Sequence, residues 1–254
     1  MCGINAIIGS KLSDGLTRVR QMQNALSHRG PDQASEMSRS AGQAEFYMGA
    51  RRLRVVDQNP ASDQPFCSQD GRYALLYNGE VYNYENLKNK LLATGAQFNT
   101  ASDTEVVLQW LMRYGKPGLN DFNGMFALHF IDFKSGHSFI ARDTSGVKPL
   151  FYTETGGQLI VSSESRGIFA SGLIQKVLNK AAIPHYLSFK YAPSPQTFYE
   201  AIFKVAPGEI RSYEGGAFKS SEYIAPTTQS ESADLGSTLT DAVARAYTGT
   251  HRPG

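Results

Sequence analysis

Cysteine is scarce here: the 254 residues include two, Cys2 and Cys67. Two cysteines build no disulfide framework and fit a reducing compartment. The five histidines show no Cys/His spacing of the kind that holds zinc, so no metal site is expected. An excess of one charge is also missing, since 25 Lys and Arg stand against 23 Asp and Glu, a net +2. No basic block interleaved with aromatics occurs, which argues against nucleic acid or a polybasic membrane anchor as partner. No apolar run approaches the ~18 residues of a membrane helix. Ile4 to Ile8 is apolar but short and has no charged flank, so it does not read as a secretion signal. No glycine-rich phosphate loop of the P-loop or dinucleotide type is present. The expectation is a cytoplasmic protein that contacts neither membrane nor nucleic acid and carries no cofactor of its own.

What is present is ordinary globular material, 41% hydrophobic and 19% charged, long enough to bury a core without crosslinks. Leu16, Val19, Met22 and Leu26 share one helical face, and Gly30-Pro31 ends that segment. Ser102-Asp103-Thr104-Glu105 reads as a capping box opening a helix through Val107, Trp110, Leu111 and Tyr114, with Gly115 as its stop. A shorter helix is predicted over Tyr84–Ala93 with Asn83 as N-cap, ending near Gly95. Strand-forming runs occupy Ala44–Met48, Tyr73–Tyr77, Phe126–Phe130, Ser138–Ala141, Leu150–Thr153 and Leu159–Ser162. Helices segregated from hairpin-spaced strands predict an α+β fold with antiparallel sheets. Beyond Ala181 the texture loosens. Tyr191–Pro195 and Ile224–Ser232 read as connecting segments, and Leu235, Leu239, Val243 and Tyr247 as a final amphipathic helix.

Cys2 follows the initiator methionine directly. Removal of Met1 leaves a thiol and a free α-amine on one residue. The thiol is a strong nucleophile but mostly protonated at neutral pH, and an amine with a pKa of roughly 7.7–8.0 is a matched proton acceptor. One residue then supplies both nucleophile and base. On position alone, Cys2 reads equally well as a small residue opening a first strand.

The motifs that follow decide between these readings. His28-Arg29-Gly30-Pro31-Asp32, Arg52-Leu53-Arg54-Val55-Val56-Asp57, Tyr77-Asn78-Gly79-Glu80-Val81-Tyr82-Asn83 and Ala101-Ser102-Asp103 come in order behind Cys2-Gly3-Ile4. Ala141-Arg142-Asp143, Gly146-Val147-Lys148-Pro149-Leu150 and Pro207-Gly208 continue the series. This ordered set resembles the class II glutamine amidotransferase domain, in the version found in the N-terminal half of glutamine-hydrolysing asparagine synthetases. The resemblance implies an N-terminal-nucleophile (Ntn) hydrolase fold, a four-layer αββα sandwich with antiparallel sheets. It implies a glutaminase domain over residues 1–215, and a linker with the start of a synthetase domain over 216–254. That domain's nucleotide loop lies beyond Gly254, so ATP and Mg²⁺ are expected only with a missing synthetase domain or partner.

The resemblance also implies roles. Cys2 attacks, while the Asn78 carboxamide and the Gly79 N–H form an oxyanion hole. Without the resemblance, Asn78-Gly79 is simply a strong turn signal. Arg52 fits the α-carboxylate of glutamine through its planar fork, and Glu80 and Asp103 fit the α-ammonium. Asp103 also suits the first turn of a helix. Val55 and Val56 would offer backbone contacts to substrate. Arg51 and Arg54 read as surface charges or local pairs; Ala50-Arg51 and Arg54 depart from the family's usual residues there. His28 is not expected to act as base, because Cys2 has its own amine, and its loop would form a lid. Arg142, Asp143 and Lys148 are expected to be scaffold. Cys67 reads as an incidental thiol. The implied activity is glutamine hydrolysis supplying ammonia to a synthetase domain or subunit, for asparagine formation from aspartate. The alternatives are another acceptor, a sugar carboxylate or a peptide, or a non-catalytic glutamine-binding module.

Overall fold

The computed structural model describes residues 1–54, 57–214, 217–219, 221–225 and 235–250. Among these residues thirteen strands form: β1 Gly3–Gly9, β2 Gln33–Ala41, β3 Ala44–Arg52, β4 Phe66–Cys67, β5 Tyr73–Val81, β6 Gly124–Asp132, β7 His137–Arg142, β8 Phe151–Thr155, β9 Gln158–Ser162, β10 Phe203–Lys204, β11 Glu209–Glu214, β12 Ala217–Phe218 and β13 Glu222–Tyr223. Six helices accompany them: α1 Gly15–Ala25, α2 Tyr84–Leu92, α3 Asp103–Tyr114, α4 Ser165–Ala170, α5 Ala182–Phe189 and α6 Leu235–Thr250. The first sheet runs β10-β8-β9-β1-β3-β2 and the second β12-β11-β7-β6-β5-β4, with β13 also on β11. Their pairings are antiparallel throughout.

The layering follows from the two-residue period of the strands. In β1, Ile4, Ala6 and Ile8 face inward and pack with Ala74 and Leu76 of β5 and Ala127 and Ile131 of β6. Ile7 faces the other way, against Val19 and Met22 of α1 and Ile168 of α4. Leu75 and Tyr77 of β5 face outward onto Leu87 of α2 and onto Val107 and Trp110 of α3. The order is therefore helices, sheet, sheet, helices, the four-layer αββα sandwich of the Ntn architecture. Among the described residues, no helix is long and apolar enough to cross a membrane.

The predicted helices form, with two differences in detail. Ser102 caps α3 through Thr104 N at 3.2 Å, but Glu105 does not close a reciprocal box. Its carboxylate instead takes the N–H groups of Asn99 and Thr100, holding the approach to the helix. Asn83 precedes α2 without capping it, because its carboxamide bridges Asp121 O and Asn123 N. The larger correction concerns Asn78-Gly79. These residues form no turn; they lie inside β5, opposite Ala127 and Phe126 of β6. The strand β2, polar and without clear alternation, was not legible in the sequence. The segment from Ala181, where the sequence suggests no element before Tyr191, includes α5. Val55, Val56 and residues 226–232 of the last predicted connection lie outside the described residues.

Close helix-to-sheet packing generates a test. Gly49 in β3 faces α1, and a Cβ there would stand 2.5 Å from Val19 Cγ1 and 2.3 Å from Gln23 Nε2. The glutamine end can move, but the branched valine is held by the backbone of α1. Gly49→Ala should destabilise the chain by about 1–3 kcal/mol, the usual cost of overpacking, as read by urea unfolding. Unchanged stability would mean that α1 is not seated on β3 as described.

Candidate active site

Extending the inward row of each central strand toward one end of the sandwich places chemistry at the mouth of the inter-sheet core. Cys2 lies two residues before Ile4 on the inward parity of β1. Asn78 and Glu80 continue the row of Ala74 and Leu76 in β5. Arg52 closes β3, and Asp103 opens α3. All of these, together with Gly79, line one cavity of about 190 Å³. That is below the roughly 300–1,000 Å³ typical for drug-sized ligands, and it suits a small metabolite.

Each side chain is held by identifiable partners. Arg52, 4% exposed, donates from Nη1 to Asp63 Oδ1 at 3.0 Å and from Nη2 to Asp57 O at 2.7 Å. Among the described residues, three of its five N–H donors have no partner. Asp57 also accepts from Ala101 N at 3.2 Å, so the loop that fixes Arg52 is tied to the segment that presents Asp103. Asp103 Oδ2 accepts from Tyr77 OH at 3.0 Å and from Val81 N at 3.4 Å. Among the described residues, the buried Asn78 Nδ2 and Glu80 Oε2 atoms have no hydrogen-bond partner. Buried polar atoms are normally satisfied, and two orphans lining one cavity mark a place prepared for a polar ligand. A Cβ on Gly79 would sit 2.5 Å from Met125 O, so only glycine fits at this register.

Cys2 is half-buried. Its Sγ lies 3.9 Å from Leu53 O, and its carbonyl accepts Arg29 Nε at 3.0 Å. Burial pushes the thiol up, against the opposing pull of Leu53 O, the chain's amino terminus and Arg52. A thiol raised in this way is protonated at neutral pH and needs a base. The amino terminus, here on Met1, is shifted down, chiefly by burial, with Lys148 and Arg29 adding to the fall and Cys2 and Glu80 opposing it. Burial likewise raises Glu80, against Lys148 and the amino terminus.

The structure brings Cys2, Arg52, Asn78, Gly79, Glu80 and Asp103 together; Val55 and Val56 lie outside the described residues. Several wall residues were missed, Lys148, Gln64 and Tyr77 among them. Lys148, assigned above to scaffold, lines the cavity. Gln64 also lines it and bridges the Tyr77 backbone, donating Nε2 to its O at 2.8 Å and accepting its N–H at 2.7 Å. Tyr77 itself, quoted above only as motif, reaches Asp103. A polar residue between Asp63 and Pro65 carries no pattern that would signal this. The loop His28–Asp32 does not line the cavity. His28 and Arg29 form a 3₁₀ turn, and both bond Glu164 Oε1, at 2.9 and 2.8 Å. Arg51 and Arg54 make local pairs as expected, with Asn24 and Asp63.

Asp103 sets a pH dependence. Burial lifts its carboxyl from 3.8 to about 6, Glu80 adds to the rise, and the bonds from Tyr77 and Val81 oppose it. The folded state thus binds this proton more tightly than the unfolded chain does. The stabilisation is complete below about pH 4, is lost as pH rises through 6, and leaves a cost near neutrality of about 3 kcal/mol. Asp103→Asn should therefore raise the melting temperature of the ligand-free chain at pH 8, with the advantage shrinking toward pH 4. An advantage independent of pH would contradict this origin.

Comparison with known proteins agrees with the geometry. The model of the glutamine amidotransferase domain family matches residues 1–224. A putative glutamine-hydrolysing asparagine synthetase 2 of Methanocaldococcus jannaschii is 34% identical over 221 residues, covering 81% of this chain and 42% of that protein. Glutamine-hydrolysing asparagine synthetase 1 of Bacillus subtilis is 33% identical over 213 residues, covering 82% and 33%. The chain therefore spans well under half the length of these relatives. The solved glutamine phosphoribosylpyrophosphate amidotransferase of Bacillus subtilis superposes with a TM-score of 0.64 at 22% identity, over 89% of this chain and 50% of that one, a likeness of fold. The family match over most of the chain, with its Ntn fold, makes this protein a member of the class II glutamine amidotransferase family of enzymes.

Proposed function

We propose that this chain is a glutaminase that begins catalysis at Cys2 after loss of Met1. The supporting observation is the one cavity that gathers Cys2, Arg52, Asn78, Gly79, Glu80 and Asp103 from separate elements, with Asn78 Nδ2 unpartnered among the described residues. The Cys2 amine takes the thiol proton, and the sulfur adds to the side-chain carboxamide carbon of glutamine. The Asn78 Nδ2–H and Gly79 N–H donate to the oxygen that becomes negative, an interaction whose loss typically costs on the order of 10²–10³ in rate. The C–N bond then breaks, and the amine returns its proton to the departing ammonia. Water, deprotonated by the same amine, hydrolyses the γ-glutamyl thioester to glutamate and restores the thiol. Arg52 pairs with the substrate α-carboxylate, and Asp103 and Glu80 with its α-ammonium.

The ammonia serves amide formation, with aspartate as acceptor and asparagine as product, as the names of the relatives suggest. Acceptor activation with ATP and Mg²⁺ belongs to a synthetase domain or subunit. In this reading, residues 1–215 form the glutaminase unit and 216–254 lead toward that partner.

Two outcomes check this. Chain beginning at Cys2 should release glutamate from glutamine without ATP, and Cys2→Ala should reduce release to background; supplied with aspartate, ATP and Mg²⁺, the chain should still make no asparagine. Full glutaminase activity with Met1 attached would exclude the single-residue mechanism. Arg52→Lys, which keeps the charge but loses the fork, should raise KM for glutamine about tenfold or more with a smaller change in kcat. An unchanged specificity constant would remove Arg52 from the carboxylate site.

A further inference from the structure

The loop between β7 and β8 is satisfied almost entirely through its backbone. Asp143, 1% exposed, accepts four N–H groups: Phe126 at 3.2 Å and Lys148 at 3.1 Å on Oδ2, Ser145 at 3.1 Å and Val147 at 2.9 Å on Oδ1. Arg142 donates to Lys148 O at 2.7 Å and to Val205 O at 2.8 Å. Gly146 turns the loop at φ +63°, where L-residues are strained, and a Cβ there would meet Pro207 Cγ at 2.8 Å. None of these bonds uses the Lys148 side chain. Val147 beside it projects outward, 56% exposed, whereas Lys148 is 7% exposed and enters the cavity. Among the described residues its ammonium has no hydrogen bond or ion pair, in contrast to Arg52, which Asp63 and Asp57 engage. The loop thus delivers one uncommitted positive charge to the cavity wall.

The thiol of Cys2 feels the amino terminus, Arg52 and Asp103. The terminal amine in this structure belongs to Met1, one residue before Cys2 and lining the same cavity as Lys148; it feels Lys148 from the β7–β8 loop, Arg29 from the 3₁₀ turn, Glu80 from β5 and the thiol itself. Glu80, whose Oε2 is an orphan, is the anion that balances Lys148. On the reading of Cys2 as an N-terminal nucleophile, we propose that Lys148 is a positioning residue for proton transfer: its fixed ammonium disfavours a second positive charge on the Cys2 amine, keeping that amine free to accept the thiol proton. Glu80 limits the effect, so that the amine remains basic enough to act. The lysine in Gly-Val-Lys-Pro-Leu then has a chemical role that the backbone bonding of its loop does not require.

The test titrates the amine itself, by competitive acylation across pH of chain starting at Cys2 (confirmed by intact mass), beside the pH profile of glutaminase kcat/KM. Lys148→Met should move the amine midpoint and the acid limb of kcat/KM up by about half a pH unit or more. Lys148→Arg should keep both near the parent values. Glu80→Gln should move the amine midpoint down, which keeps the proposal testable should Lys148→Met fail to fold. An amine midpoint unmoved in Lys148→Met, or unmoved in Glu80→Gln, overturns the proposal. A raised KM with an unmoved midpoint overturns it in favour of direct contact between Lys148 and the substrate carboxylate. The acylation readout does not need turnover, so a chain that titrates as described but hydrolyses no glutamine would refute the glutaminase reading alone.

Discussion

Charged groups are held out of water at one end of a core that is otherwise apolar, and the architecture around that end answers the cost. Between the sheets, Ile4, Ala6 and Ile8 meet Ala74, Leu76 and Ala127 with no polar demand. One strand-repeat further along the same rows stand Cys2, Asn78 and Glu80, joined by Arg52 and Asp103 from neighbouring elements. A buried charge without a partner costs several kcal/mol. Arg52 is therefore braced by Asp63 and Asp57, and Asp103 by Tyr77 and Val81. Among the described residues, Asn78 Nδ2 and Glu80 Oε2 are left without a partner. On the proposed reading a zwitterionic substrate supplies those partners, so substrate selectivity and the local cost of burial have one origin.

Much of this was legible in the chain. Apolar periodicity located α1 and α3 and the central strands. The chemistry of an N-terminal thiol singled out Cys2, and the ordered motifs supplied the topology that periodicity could not. What escaped has physical reasons. Asn78-Gly79 has the composition of a turn, but strand pairing overrides local preference when Gly79 must lie against Met125 and Phe126. Glu105 stands at the capping-box spacing, yet it bonds the backbone of Asn99 and Thr100, because a long carboxylate can reach either side of the helix start. Gln64 and Lys148 act on the cavity from loops, where neither periodicity nor spacing signals the direction of a side chain.

The scaffold and the site are less separable than motif reading suggests. Asp143 holds four backbone N–H groups of the β6 edge and the following loop, which is scaffolding by any measure, and the side chain it orients stands in the cavity wall. Arg29 likewise anchors a turn on Glu164 while gripping the carbonyl of Cys2. Placement of Cys2 thus depends on Glu164, 162 positions away in sequence, through a single guanidinium.

The claim on which the account rests is that sulfur and amine of Cys2 act together on glutamine. Acid quenching of chain starting at Cys2 during turnover, followed by peptide mass analysis, tests it most directly. The account predicts a glutamyl adduct on the peptide beginning at Cys2, present with glutamine, absent with glutamate, and discharged by mild hydroxylamine as a thioester should be. Glutamate release at full rate with no adduct at Cys2, or with the adduct on another residue, would contradict it.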